Sequence, residues 1–497
     1  MTCRDLRVQA RAETFCFPLV LLIDLDYPGF MIQLRHSQRS LWGGFWAEEV
    51  ADLWEPWMRA ADTLLDDAAL VETIYEAQGR RWKRSRTRGR KQTPAEVVLR
   101  LLILKHARNW SFEVLEREVR ANLIYREFTR IGTEKVPDAK VLAKIARVLG
   151  PDVVQTLHGR IVELACENHM VSGRKLRVDT TVVETNIHYP TDSSLLGDGT
   201  RVLTRLMKRV SEKVGGLTEQ VRDRMRSIRK KVVAIAVSSR QKGPQGEERR
   251  KKLYTELLTL ARKVVNQASR VCQEIGQTTK RKRIAAKALV DEIVTMSDRV
   301  CQVIRQAKAR VFGGNTKVPD KIVSLFEPHT EIIRKGKASK PTEFGKMILV
   351  QEAENQVIID YEVFDQRPND SDLLVPAVEQ HEECFGRTPD MVAADAGFYS
   401  SMNEKALADK GIQRISVPNR NTRSETRRQK QKQRWFKKGQ RWRTGCEGRI
   451  SVLKRRHGLD RCLYRGQDGM KRWVGLGIVA DNLINMGTLL ATRTSEA

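Results

Sequence analysis

Apolar positions recur every three to four residues over 42–170, which predicts helices, whereas later segments alternate or run β-branched over short stretches, which predicts strands. Thr93-Pro94-Ala95-Glu96 reads as a helix start: Thr93 as N-cap, proline in the first turn and Glu96 closing a capping box, ahead of Val98, Leu101 and Leu102. Ser111 caps a second helix carrying Leu115, Val119 and Leu123. Asp138 starts a third, which runs through Leu142, Ile145 and Leu149 to Gly150. This unit is either a helix-turn-helix with Lys140, Lys144 and Arg147 toward phosphates or a plain bundle with solvated charges.

Over 200–329 the pattern changes to long amphipathic helices, with Val202, Leu206 and Val210 on one stripe and Leu253, Leu257, Leu260, Val264 and Val271 on another. Gly243-Pro244-Gln245-Gly246 and the charge run Lys280-Arg281-Lys282-Arg283 mark breaks. On either side lie strand signals at 175–183, 347–350, 357–363, 391–395 and 412–418, the second and third forming a hairpin, with a helix at 372–384. The resulting expectation is an α/β chain: a mixed sheet with flanking helices over 171–199 and 330–497, an all-helical N-terminal domain over 42–170, and a helical insertion at 200–329. Residues 1–41 lack periodicity and read as a leader, with Met31 as an alternative start.

Three acids stand out within that frame. Asp179 shares strand parity with Arg177 and Thr181, opposite Leu176, Val178 and Val182, so it faces the more polar side. Its carboxylate needs a metal ion or an arginine to offset desolvation. Asp395 ends the apolar run Val392-Ala393-Ala394, and Gly397 lets the backbone turn before Ser401-Met402-Asn403-Glu404, a capping box for the next helix. Glu447 opens a helix with Arg443 four residues before it and Lys454 seven after, all near one face. Carboxylates on two strands and a following helix can converge on paired divalent metals and act on phosphodiesters. Taken singly, each has a plainer reading: a structural ion pair, a turn aspartate, a surface salt pair.

Charge narrows the substrate. The 497 residues hold 90 Lys plus Arg against 61 Asp plus Glu, a formal net charge of +29, which predicts a polyanion partner bound by counterion release. The basic stretch before Glu447 includes Arg427, Arg428, Lys430, Lys432, Arg434, Lys437 and Lys438, interleaved with Trp435 and Trp442. It reads as a flexible strand that orders on DNA with a tryptophan stacking on an unpaired base, or as a non-specific electrostatic tether. The eight cysteines form no C-x-x-C pair, which speaks against zinc and for a reducing compartment. His188 and Asp192 read as loop residues rather than metal ligands. No apolar run approaches the roughly 20 residues of a membrane span.

On these residues the chain resembles bacterial insertion-sequence transposases of the DDE type, from Trp42 to the C-terminus. The resemblance is carried by the run from Val178-Asp179-Thr180-Thr181 to Asp192, by Asp395-Ala396-Gly397-Phe398, and by Arg443, Glu447 and Lys454. Those last three resemble the family's tyrosine-arginine-glutamate-lysine signature, with Gln440 standing where the tyrosine would be. The resemblance implies a ribonuclease H-like catalytic core in which Asp179, Asp395 and Glu447 are the catalytic and metal-binding triad, with Arg443 and Lys454 on DNA. It implies two Mg2+ or Mn2+ ions, cleavage at terminal inverted repeats, and transfer of the freed 3′-hydroxyl to target DNA. It further implies a homodimer or larger synaptic assembly and a cytoplasmic, nucleoid-associated, membrane-free location. A structure-selective nuclease of the same fold and a catalytically silent DNA-binding relative remain as alternatives.

Overall fold

The computed structural model describes residues 31–36, 48–81, 83–88, 90–334 and 341–496. Most of the expected leader lies outside the described residues. Its described part, 31–36, is tied down by backbone bonds: Met31 N donates to Arg86, Gln92 N to Met31, Ala95 N to Gln33 and Glu96 N to Leu34, over a buried Ile32.

Among the described residues seven α-helices precede the first strand: α1 (Pro56–Leu65), α2 (Ala68–Gly79), α3 (Ala95–Ala107), α4 (Phe112–Ala121), α5 (Leu123–Phe128), α6 (Ala139–Val148) and α7 (Pro151–Glu167). Ser111 and Asp138 cap α4 and α6, accepting from Val114 N at 3.2 Å and Val141 N at 2.9 Å. At α3 the expected box is absent. Pro94 takes the N-cap position without a side-chain bond, and Glu96 turns inward to Arg100 at 3.4 Å and Arg130 at 3.6 Å. A helix buried along nearly its whole length leaves that acid no solvent, so an ion pair outcompetes the cap.

The sheet is built on one long antiparallel pair, β1 (Lys175–Thr185) and β3 (Glu343–Glu352). The far edge of β3 takes β2 (Glu331–Ile333) at its start and β4 (Ile358–Val363) at its end. The far edge of β1 takes β5 (Met391–Ala393) and β7 (Arg461–Cys462), both parallel, and β6 (Arg414–Ser416) follows β5. Around these strands lie α12 (Leu374–Phe385), α13 (Ser401–Asp409), α14 (Glu425–Lys432), α15 (Arg434–Arg456) and α16 (Gln467–Glu496). Ser400, one residue earlier than expected, caps α13, and Glu404 instead pairs with Arg427 and Lys430.

Between β1 and β2 the insertion forms α8 (Asp192–Val214), α9 (Met225–Ser238), α10 (Pro244–Gly276) and α11 (Lys280–Val311) around its own apolar cluster. Gly243 adopts φ +93° just before Pro244, a conformation open to glycine, so the sequence break is also the structural one. Asp192 is buried and pairs with Arg310 at 2.6 Å, while His188 lies 3.8 Å from Asp198, and neither belongs to a metal-ligand group among the described residues.

The sequence pattern missed the role of α16. By length and composition it is apolar enough to cross a membrane over Gln467–Arg493, contrary to the expectation that no segment would be, yet 67% of its apolar window is buried inside the protein. Val479, Leu483 and Met486 join the core formed by the N-terminal helices and one sheet face, while Trp473, Val474 and Ile478 join the core on the other face. A helix apolar on all sides is one placed between layers.

Candidate active site

On β1, odd positions face α15. Arg177 is buried there and bonded to Glu352, to the Trp442 carbonyl, and across the Trp442 ring at 4.9 Å. The helix comes this close because Gly445 has no side chain: a Cβ there would lie 2.4 Å from Arg177 Nη1. A second close approach, at Gly439, lets α15 lie against Ser416 of β6. Gln440 then donates its amide to the Ala394 carbonyl at 3.2 Å and to Ser416 Oγ at 3.2 Å. So Gln440 ties α15 to the ends of β5 and β6.

Asp179, half-buried, accepts from Thr180 N at 2.8 Å. Arg443 reaches it at 3.8 Å and bonds Glu447 at 2.8 Å, so one guanidinium bridges two of the three predicted acids. Glu447 lies well inside α15, not at a helix start, and its side chain is 56% exposed. Asp395 follows β5, with its Oδ1 accepting from Gly397 N at 2.7 Å. The last paired positions of the parallel strands are Arg177 and Ala393, so Asp179 and Asp395 each stand two residues beyond, at matched register.

A fourth acid went unrecognised in the sequence. Asp370, in a short turn before α12, accepts from Thr180 Oγ1 at 3.2 Å, and a Cβ on Gly397 would lie 3.1 Å from its Oδ2 and 3.0 Å from Asp395 Oδ1. Its only signal was the polar run Asn369-Asp370-Ser371-Asp372, which reads as a helix cap.

The donor chemistry of these acids suits a hard divalent cation. Their arrangement in this conformation does not: among the described residues no group of three or more His, Cys, Asp or Glu is placed to hold a metal. Arg443 supplies the positive charge between Asp179 and Glu447 instead.

The basic stretch is helical rather than a flexible strand. Long charged side chains are good helix formers, and Arg427 and Phe436 are buried, giving α14 and the start of α15 an anchored face. Arg427 pairs with Glu404, bonds the Val417 carbonyl at 2.6 Å and lies over Tyr399, and Lys430 also pairs with Glu404. Both serve packing. Arg428 lies 3.7 Å from Glu425, Trp442 is half-buried under Arg177, and Trp435 packs edge-on against Phe436. Lys432, Arg434, Lys437 and Lys438 are exposed, and Lys454 is half-buried on the same helix as Arg443 and Glu447.

Two family descriptions match this chain. Residues 57–147 match the transposase domain DUF772, and residues 321–483 match the transposase DDE domain, together just over half of the chain. No curated protein and no solved structure matches it. The second match takes in Asp395, Arg443, Glu447 and Lys454, while Asp179 lies between the two. The DDE domain makes the mixed sheet a ribonuclease H-like one.

Proposed function

Because the chain belongs to the insertion-sequence DDE transposases, proteins of DNA transposition and recombination, we propose that it binds the terminal inverted repeats of its element, cleaves there and joins the freed 3′-hydroxyl to target DNA. The observation that supports this most directly is the matched register of Asp179 and Asp395 across β1 and β5, with α15 carrying Glu447 to the same side through Arg443. In this reading those three acids are the catalytic set, and Arg443 and Lys454 hold the scissile strand.

The family generally uses divalent metal ions. Asp179, Asp395 and Glu447 would hold two Mg2+ or Mn2+ ions, which when bound activate water and stabilise the leaving oxygen. Arg443 must first leave the acids. A DNA phosphate is a bidentate acceptor suited to its guanidinium, so substrate binding and opening of the site are one event. The exposed Lys432, Arg434, Lys437 and Lys438 add phosphate contacts beside it. Two ends must be brought together, so the working form is a homodimer or larger assembly on double-stranded DNA, in the cytoplasm at the nucleoid. Residues 42–170 act as the DNA-end reader, 171–199 and 330–497 as the catalytic domain, and 200–329 as an inserted helical arm.

Asp395→Asn tests the assignment. The variant is expected to retain affinity for element ends and to lose metal-dependent nicking; nicking at the wild-type level would remove Asp395 from the catalytic set. A plasmid substrate separates the nuclease alternative, since cutting without any strand-transfer product would leave the acids in place and overturn transposition.

A further inference from the structure

Lys105 lies on α3, only 2% exposed, and its ammonium makes no hydrogen bond or ion pair among the described residues. Three rings enclose it: Phe112 at 5.0 Å, Tyr464 at 5.1 Å and Trp473 at 4.6 Å to Nζ. Each ring face stabilises a desolvated cation by roughly 2 kcal/mol, without the neutralising charge that an anionic partner supplies. Burial pushes the group down to about 7, so the charge is incompletely supported as it stands.

That ammonium borders a cavity of about 410 Å³ between the N-terminal helices and the β7–α16 connection. Three more cations line it from separate parts of the chain: Arg147 at the end of α6, Arg465 in the loop before α16, and Arg472 on α16. Arg472 is buried and already bonded to the Ala146 and Leu149 carbonyls at 2.9 and 3.3 Å, which fixes it at the cavity wall. Arg147 and Arg465 are exposed. The one lining acid, Glu113, is exposed at the rim and bonds its own backbone amide and the Ser111 hydroxyl. Four positive charges against one around an aromatic-walled hollow are the electrostatic opposite of a pocket for a cation or a neutral molecule.

We propose that this cavity is a phosphate-binding pocket, with Lys105 at its base and Arg147 and Arg465 at its mouth, and that it takes a backbone phosphate of bound DNA. The identification of the source rests on the DNA-end-binding function above. Arg147 continues the exposed row Lys140 and Lys144 along α6, so a duplex lying on that row passes the mouth. The pocket joins the two segments matched by separate transposase domains, and a phosphate held there fixes DNA across both.

The test uses the full chain, with EDTA present to silence cleavage. Binding of a short fluorescent mixed-sequence duplex is titrated against salt for wild type, Arg147→Ala, Arg465→Ala and Lys105→Met. The two arginine variants alter exposed side chains and keep the test independent of folding. Each variant is expected to bind roughly five-fold more weakly at physiological salt, with a slope of log affinity against log salt shallower by about one. In a second arm, melting is measured in inorganic phosphate against chloride of equal ionic strength. Loss of a phosphate-dependent stabilisation in Lys105→Met, with unchanged DNA slopes, assigns the pocket to free phosphate instead. If neither the slopes nor the phosphate response differ from wild type, the pocket proposal is overturned while end binding stands. A wild type with no affinity for any duplex overturns the functional reading itself.

Discussion

Arg177 and Glu352 face each other in register across β1 and β3 and form a buried ion pair. Arg177 also holds the Trp442 carbonyl, one residue before Arg443, so a pair inside the sheet sets where α15 places Arg443 and Glu447. Burial raises the Glu352 carboxyl pKa, opposed by the arginine beside it. Removing one partner strands the other charge. Glu352→Ala is therefore expected to cost about 3–5 kcal/mol in urea unfolding. A loss under about 1 kcal/mol would show that α15 is anchored elsewhere.

On the proposed assignment of Asp179 and Glu447 as metal ligands, Arg443 competes with metal in the DNA-free protein. Replacing it by Gln removes a positive charge within 3.8 Å of Asp179 and 2.8 Å of Glu447. Arg443→Gln should bind Mn2+ several-fold more tightly than wild type without DNA, read by electron paramagnetic resonance, because a unit charge at that distance is worth at least about 1 kcal/mol. It should also bind DNA less well. Equal Mn2+ affinity in the two proteins would contradict the bridging role.

The glycines of α15 separate close packing from helix propensity. A Cβ at Gly445 would meet Arg177 at 2.4 Å, whereas one at Gly448 meets nothing within 4 Å. Gly445→Ala is expected to destabilise by about 1–3 kcal/mol through overpacking, and Gly448→Ala to stabilise by up to about 1 kcal/mol. Thermal melts of the two proteins decide this; shifts of the same sign would mean that α15 does not lie against β1 as described.

Acid sensitivity should trace to buried histidines. His158, on α7, bonds the Ile358 carbonyl at 3.0 Å, and burial pushes it down from 6.5 to about 4. Between those values the unfolded chain binds the proton and the folded one does not, so stability falls as pH drops through that window, by up to about 3 kcal/mol. His381, also about 4, acts in the same direction. Asp360, which burial pushes up to about 6 from 3.8, acts oppositely, taking stability away as pH rises across its own window. Denaturant unfolding of His158→Gln between pH 4 and 6.5 should show a flatter profile than wild type; an identical slope would refute the histidine's part.

Local patterns revealed the elements whose neighbours are local. The hairpin of β3 and β4, the caps at Ser111 and Asp138, and the break before Pro244 depend on residues close in sequence, and periodicity exposes them. The placement of Asp179 on β1 and of Asp395 just beyond β5 was legible because parity and a following glycine are written in adjacent positions. What escaped depends on distant partners. Glu96 was read as a cap because Arg130 is invisible from its flanks, and Asp370 was hidden because its neighbours Thr180, on β1, and Gly397, after β5, are distant in sequence. The basic stretch misled for the same reason: Glu404 and Tyr399, which turn Arg427 into a packing residue, precede it by a strand and a loop.

Because α16 completes the apolar interior on both sides of the sheet, synthesis from the N-terminus leaves the early helices without this partner until α16 itself has been made. A truncation that removes this helix would expose the apolar surfaces it covers in both halves. Such a product is fated for aggregation or proteolysis, so a folded interior depends on polypeptides that carry α16.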